Sequence, residues 1–276
     1  MIFSLAAACA DDGGPPPGCE RPALDAGWLA PYLADALGEL AAAPRSTFEE
    51  REAARAILVR RLAAMGFSPE QQLYPGGINV HAAIPATEPA ARLVVVGAHF
   101  DTVAASPGAS DNASGVAAVL AVARYLADVP CRAVDVEVAL FDQEEAGLFG
   151  SRAFAASLDP ARVRAVHTID QVAWDADGDR RFELELPTPA LEAEWRAAAA
   201  AVGAQLQVTS TTGTDHASFR DLGLPAVGLT EEFVGGDTSP LRHTPGDTAA
   251  SVAPYLDYLA LASKLIAYVV TEEVAP

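Results

Sequence analysis

The 276-residue chain is 51% hydrophobic and 20% charged, the composition of a folded globular protein, which excludes disordered, collagen-like and fibrous classes. Its 18 basic against 37 acidic side chains leave a formal net charge of −19, so phosphate backbones and anionic lipid headgroups are repelled and nucleic acid is excluded as a partner. An α/β chain of this length buries one large core, and residues 20–276 are expected to form a single domain.

Residues 1–10 form a short apolar stretch containing Leu5-Ala6-Ala7-Ala8-Cys9, and residues 11–18 are polar and rich in Gly and Pro. That order resembles the tail of a bacterial lipoprotein signal without its basic start, in which a cysteine after small residues is lipidated and a tether follows. Residues 1–19 are therefore expected to be a truncated export signal and tether with Cys9 as lipid anchor. The expected location is outside the bacterial cytoplasm: periplasmic, lipid-anchored or extracellular. Cys19 and Cys131 either pair, as an oxidising compartment permits, or stay thiols. Three cysteines with no Cys-x-x-Cys spacing exclude a thiolate zinc cage.

Apolar residues at helical spacing predict helices over 25–40 and 47–65, the second capped by Ser46 or Thr47 ahead of Glu49 and Glu50. Residues 71–74 and 78–84 flank Pro75-Gly76-Gly77 and read as a hairpin. Strands at 93–98, 134–141, 163–169 and 226–230 are interleaved with helices at 113–126, 151–157 and 189–202, and a last helix covers 253–271. Within it, residues 259–270 are broken by Ser263 and Lys264, short of the roughly 18 apolar residues of a membrane span. The alternation predicts an α/β fold: three αβα layers around a mostly parallel, mixed central sheet with helices on both faces.

In such sheets ligands sit at the carboxyl ends of the strands. Here those positions carry His99-Phe100-Asp101, Asp142-Gln143-Glu144-Glu145 and Asp170, with His243 after the last strand and Asp111-Asn112 ahead of a helix. Singly, each has an ordinary structural explanation: Asp111 as a helix cap, Glu144-Glu145 as a solvated loop, either histidine as a hydrogen-bonded structural residue. Together they do not, because a parallel sheet gathers its strand ends at one rim. His-x-Asp spacing on an extended chain puts Asp101 behind His99, where it orients the ring. Three carboxylates among five ligands repel in a dry pocket unless cations neutralise them, and two zinc ions balance three carboxylates and a hydroxide.

Five segments, in order, carry a family resemblance: His99-Phe100-Asp101-Thr102, Gly108-Ala109-Ser110-Asp111-Asn112-Ala113-Ser114-Gly115, Phe141-Asp142-Gln143-Glu144-Glu145-Ala146-Gly147-Leu148-Phe149-Gly150-Ser151, Thr214-Asp215-His216-Ala217-Ser218-Phe219 and His243-Thr244-Pro245-Gly246-Asp247-Thr248. From about residue 78 onward the chain resembles the di-zinc aminopeptidases, a family of secreted bacterial exopeptidases whose clan also holds glutaminyl cyclases, carboxypeptidases and non-catalytic binding domains. The resemblance implies two zinc ions per chain, bridged by Asp111, with His99 and Asp170 completing one site and Glu145 and His243 the other. It also implies a cis peptide between Asp111 and Asn112, Glu144 as general base toward a metal-activated bridging water, and a peptide substrate that enters by its free N-terminus.

Asp101 and Asp215 are expected to orient their neighbours. Some relatives carry a tyrosine just before the Asp-His pair to polarise the substrate carbonyl. Here that stretch is Ser210-Thr211-Thr212-Gly213, which leaves His216, or one zinc acting alone, for the task. Three other readings use the same scaffold. A cyclase closes an N-terminal Gln on itself, normally at a single zinc. A carboxypeptidase needs a basic carboxylate reader, for which Arg152, Arg220 and Arg242 are candidates, and a metal-free binding domain would show eroded ligands. His81 and His167 lie outside any motif and are assigned to structure.

Overall fold

The computed structural model describes residues 16–24 and 27–276, and Cys9 lies outside the described residues. Two helices come first, α1 (Leu29–Leu40) and α2 (Phe48–Ala64). Thr47 caps α2 by accepting from the Glu50 amide while the Glu50 carboxylate accepts from the Thr47 amide, a reciprocal capping box. The hairpin β1 (Glu70–Tyr74) and β2 (Gly77–Ile84) follows, then β3 (Leu93–His99), α3 (Gly115–Ala127), β4 (Asp135–Phe141), α4 (Phe149–Ser157) and β5 (Val163–Ile169). The remainder is β6 (Arg181–Glu185), α5 (Pro189–Val202), β7 (Gln205–Thr209), α6 (His216–Arg220), β8 (Ala226–Thr230), the short α7 (Ala249–Val252) and α8 (Leu256–Val274).

The eight strands form one sheet in the order β1-β2-β4-β3-β5-β8-β6-β7. The central strands β4, β3, β5 and β8 are mutually parallel, whereas β2 joins β4 and β6 joins β8 antiparallel. Every residue of β3 is buried, as the continuous apolar run requires. Val94, Val96 and Ala98 face the larger core with α1, α3, α5 and α8, while Leu93 and Val95 face the smaller one with Phe141, Phe154 and Phe219 from β4, α4 and α6. These are the three layers. The helical stretch Ala249–Val274 has the length and apolar character of a membrane span, but 56% of that window is buried, with α8 packed on α3, α5 and α1. Here it is a core helix.

Four elements escape the sequence pattern, the four-residue α7 among them. The strand β6 reads Arg-Phe-Glu-Leu-Glu, and its charges conceal a strand in which Glu183 and Glu185 are both buried. Glu183 accepts from the Val234 and Gly235 amides and Glu185 accepts from the Thr214 hydroxyl, so local donors offset the burial of charge. The strand β7 and helix α6 have five residues each, too few for a periodic signal. One boundary also moves: α3 starts at Gly115 because residues 109–114 form a wide turn in which Asp111 and Asn112 have non-helical dihedrals.

Cys19 and Cys131 are joined in a disulfide across 112 residues of sequence, which settles the alternative left open above. A cross-link closing a loop of that size stabilises mainly by restricting the unfolded chain. Replacing both cysteines with serine is expected to lower unfolding stability by about 2–4 kcal/mol, read as a drop in the urea midpoint with a steeper slope, because the freed unfolded chain exposes more surface.

Candidate active site

The site lies where β3, β4, β5 and β8 end at one rim, around the point where the strand order reverses. His99 is the last residue of β3, Glu144 and Glu145 follow β4, and Asp170 follows β5. Asp111 sits in the wide turn before α3, and its peptide to Asn112 is cis. His99 Nε2 lies 3.3 Å from Asp170 Oδ1 and 3.4 Å from Asp111 Oδ1. On the other side of Asp111, His243 Nε2 lies 2.9 Å from Oδ2 and 3.2 Å from Glu145 Oε2. The result is two donor groups, His99–Asp111–Asp170 and Asp111–Glu145–His243, that share Asp111.

Nitrogen and carboxylate donors in this ratio suit a borderline divalent cation such as zinc. Glu145 Oε1 is buried without a hydrogen-bond partner, an acceptor that a cation in its donor group would engage. Glu144 belongs to neither group, although its Oε2 is 4.0 Å from His99 Nε2.

Burial pushes the Glu144 carboxyl up to about 9, with Asp215, Asp170 and Glu145 adding to the rise against His99. Burial likewise moves Glu145 up to about 7, assisted by Asp111, and raises Asp170. Asp111 goes the other way. Its burial is outweighed by hydrogen bonds from His243 and His99 and by their charge and that of Arg242, which hold it well below the usual carboxylate range. For His99, burial is again overcome, here by Glu144, Asp170 and the other acids, and its proton is held well above the usual histidine range. Cations in the two donor groups would bring the raised carboxyls and His99 down and hold Asp111 lower still.

Asp101 does more than its spacing suggests. It lies 3.5 Å from His99 Nδ1, yet its two oxygens accept the backbone amides of Glu144 (2.9 Å) and Glu145 (3.2 Å). One carboxylate therefore sets both the ring and the acidic loop. Asp215 is buried with one oxygen unpartnered, and burial pushes it up to about 7. His216 departs from its expected role. Its Nδ1 meets the Thr214 hydroxyl at 2.8 Å and Glu185 at 3.2 Å, and its Nε2 meets the Thr211 carbonyl at 2.9 Å. With both nitrogens engaged, this ring has none to offer a substrate carbonyl. His81 pairs with Glu137, and His167 bridges Glu273 and Trp195.

Sequence reasoning missed three supports of the cluster. Asp247 accepts the amides of Ser110 (2.8 Å) and Asp111 (3.1 Å), and its place in the His243-to-Asp247 segment was the available signal. Glu231, just past β8, accepts from the Ser239 amide and from the Thr238 and Ser110 hydroxyls, and burial pushes it up to about 8. Arg45 is fully buried beneath the Asp111 turn and donates to the carbonyls of Leu40, Phe100, Pro107 and Gly108 at 2.6–2.9 Å. Its burial lowers it to about 10 against the pull of Asp101, Asp247 and Asp111. Gly108 has a φ of +60°, and an added Cβ would strike the Asp111 carbonyl, Thr102 and the Arg45 guanidinium, so the turn requires glycine.

An αβα sheet whose rim gathers two carboxylate–imidazole donor groups around a shared aspartate defines a domain with the makings of a two-cation centre. A family model described as peptidase family M28 matches residues 79–268, and the chain belongs to that family. The probable lipoprotein aminopeptidase LpqL of Mycobacterium tuberculosis is 34% identical over 161 residues, 52% of this chain and 32% of that protein. A solved zinc aminopeptidase from Bacillus subtilis superposes with a TM-score of 0.67 at 25% identity, covering 72% of this chain and 50% of its own. Porphyromonas gingivalis glutaminyl cyclase shares the fold, with a TM-score of 0.74 at 19% identity over 89% of this chain and 98% of its own. The chain thus spans half or less of the length of the two aminopeptidases.

Proposed function

We propose that this chain is the catalytic domain of a zinc aminopeptidase that holds two ions and removes N-terminal residues from peptides. The observation that carries the reading is the pair of donor groups sharing Asp111, with a half-buried glutamate beside them that belongs to neither. His99, Asp111 and Asp170 would hold one ion, and Asp111, Glu145 and His243 the other. Bound there, zinc supplies Lewis acidity toward the scissile carbonyl and makes nearby water acidic enough to ionise near neutral pH.

The protein's own groups do the rest. Glu144 takes the proton of the attacking water and delivers it to the departing amine. Asp101 keeps Glu144 in reach by holding its amide. Asp215, buried near it, disfavours a permanent negative charge on Glu144 and so favours the protonated form needed in the second step. The surplus of carboxylates attracts the substrate's free α-ammonium. With no phenol before Asp215 and with His216 engaged, polarisation of the carbonyl falls to the ions. The likeness of part of the chain to a lipoprotein aminopeptidase fits export, and we carry forward Cys9 as the lipid anchor of that location.

The test pairs elemental analysis with a screen of aminoacyl anilides. About two zinc ions per chain, hydrolysis that disappears with chelation and returns with zinc, and no turnover of N-acetylated substrates are expected. Equal hydrolysis of free and acetylated peptides would sink the assignment. A Gln-initiated peptide separates the cyclase reading, because cyclisation releases ammonia without shortening the chain.

A further inference from the structure

Arg242 directly precedes His243 and is placed unlike any other arginine described. Its Nε donates to Asp111 Oδ2 at 3.1 Å, the same oxygen that His243 meets at 2.9 Å. Its guanidinium carbon lies 5.3 Å over the ring centroid of Phe233, which is itself 43% exposed. The Arg242 side chain keeps 34% of its surface open, whereas Arg45, also beneath the cluster, is buried and bonded to backbone carbonyls. Among the described residues no hydrogen bond engages the two Nη groups of Arg242, so its planar fork is free to take a further partner.

An aspartate shared between two cations has its charge drawn to them. An arginine whose ion-pair partner is that aspartate is then left with uncompensated charge at the cleft mouth. An aromatic ring under the guanidinium fixes its plane, and a fork so fixed matches one chemical group above all, a carboxylate taken bidentately. We infer that Arg242 reads a carboxylate on the substrate. This rests on the aminopeptidase reading and deepens it: in a cleft otherwise lined with acids, peptides that place a carboxylate near the scissile bond are preferred. Two sources share that chemistry, the side chain of an acidic N-terminal residue and the C-terminal carboxylate of a dipeptide. A plain counter-ion for Asp111 would show no such preference.

The zinc-loaded enzyme is assayed on two matched pairs, Glu- against Gln-p-nitroanilide and Leu-Gly against Leu-Gly-amide. In one pair the carboxylate member is expected to lead by about tenfold in kcat/KM, the worth of one charge-assisted hydrogen-bonded contact, mainly through KM. The responding pair identifies the source. In Arg242→Gln the ratio should fall to near parity, and Arg242→Lys should retain part of it. Parity in both wild-type pairs, or a ratio that survives Arg242→Gln, overturns the inference and leaves the aminopeptidase reading standing. If none of the four substrates is turned over, the anilide screen with chelation decides the aminopeptidase reading separately. Calorimetric titration with glutamate against glutamine then decides for Arg242: tighter glutamate binding lost in Arg242→Gln upholds the carboxylate contact, and equal binding overturns it.

Discussion

Glu144→Gln is expected to lower kcat by about 10²–10⁴-fold, the usual worth of a positioned general base, while zinc content stays at the wild-type level. The two halves of that result come from different contacts. Metal content depends on the donor groups, and Glu144 is in neither. Its amide is what Asp101 grips, and glutamine keeps that amide and nearly the same volume, so the loop stays in place. Only the capacity to accept a proton is removed. Anilide turnover measured beside elemental analysis of the same sample checks both halves. Zinc lost in proportion to rate would show that Glu144 is a ligand and would exchange its role with Glu145.

Arg45→Met is expected to destabilise the fold by about 3–5 kcal/mol, in the range for breaking a buried charged contact, and to weaken zinc retention at the same time. Arg45 donates to four backbone carbonyls drawn from the end of α1, the residue after His99 and the turn leading to Asp111. Methionine fills much of the volume and satisfies none of them, and each orphaned buried acceptor costs about 1–3 kcal/mol before relaxation. The turn that carries Asp111 then loses its ties at Pro107 and Gly108, while Asp247 still holds the Ser110 and Asp111 amides. Arg45→Lys should recover part of the loss, because an ammonium reaches some of the carbonyls but lacks the fork. Chemical unfolding and a zinc-retention assay against a competing chelator measure the two effects. An unchanged midpoint with unchanged retention would remove Arg45 from the architecture of the site.

The proposed ligands and Glu144 could be picked out because all but His243, which lies in the connection between β8 and α7, stand at a strand end or near a helix start, and because their motifs occur in order. The strands of the parallel centre were legible for a related reason: burial on both faces demands unbroken apolar runs such as that of β3. What stayed hidden depends on contacts between distant segments. Arg45 lies 66 residues ahead of Asp111 in an unremarkable stretch, and only the fold sets it beneath the turn. The strand β6 was not legible, because sequence does not show that Val234, Gly235 and Thr214 supply donors to its acids. His216 shows the converse. Its motif marked it for the cleft, and Glu185, on a strand the pattern did not reveal, binds its ring instead.

The covalent tie between Cys19 and Cys131 has an orientational consequence. Cys131 lies in the connection leading into β4, so the tie fixes the entering chain at the rim where the parallel strands begin, across the sheet from the rim where the acids and imidazoles assemble. If a lipid holds residue 9 to a bilayer, the chain enters the domain at the face turned away from the proposed site, so the anchor leaves that site open to peptides arriving from the surrounding fluid.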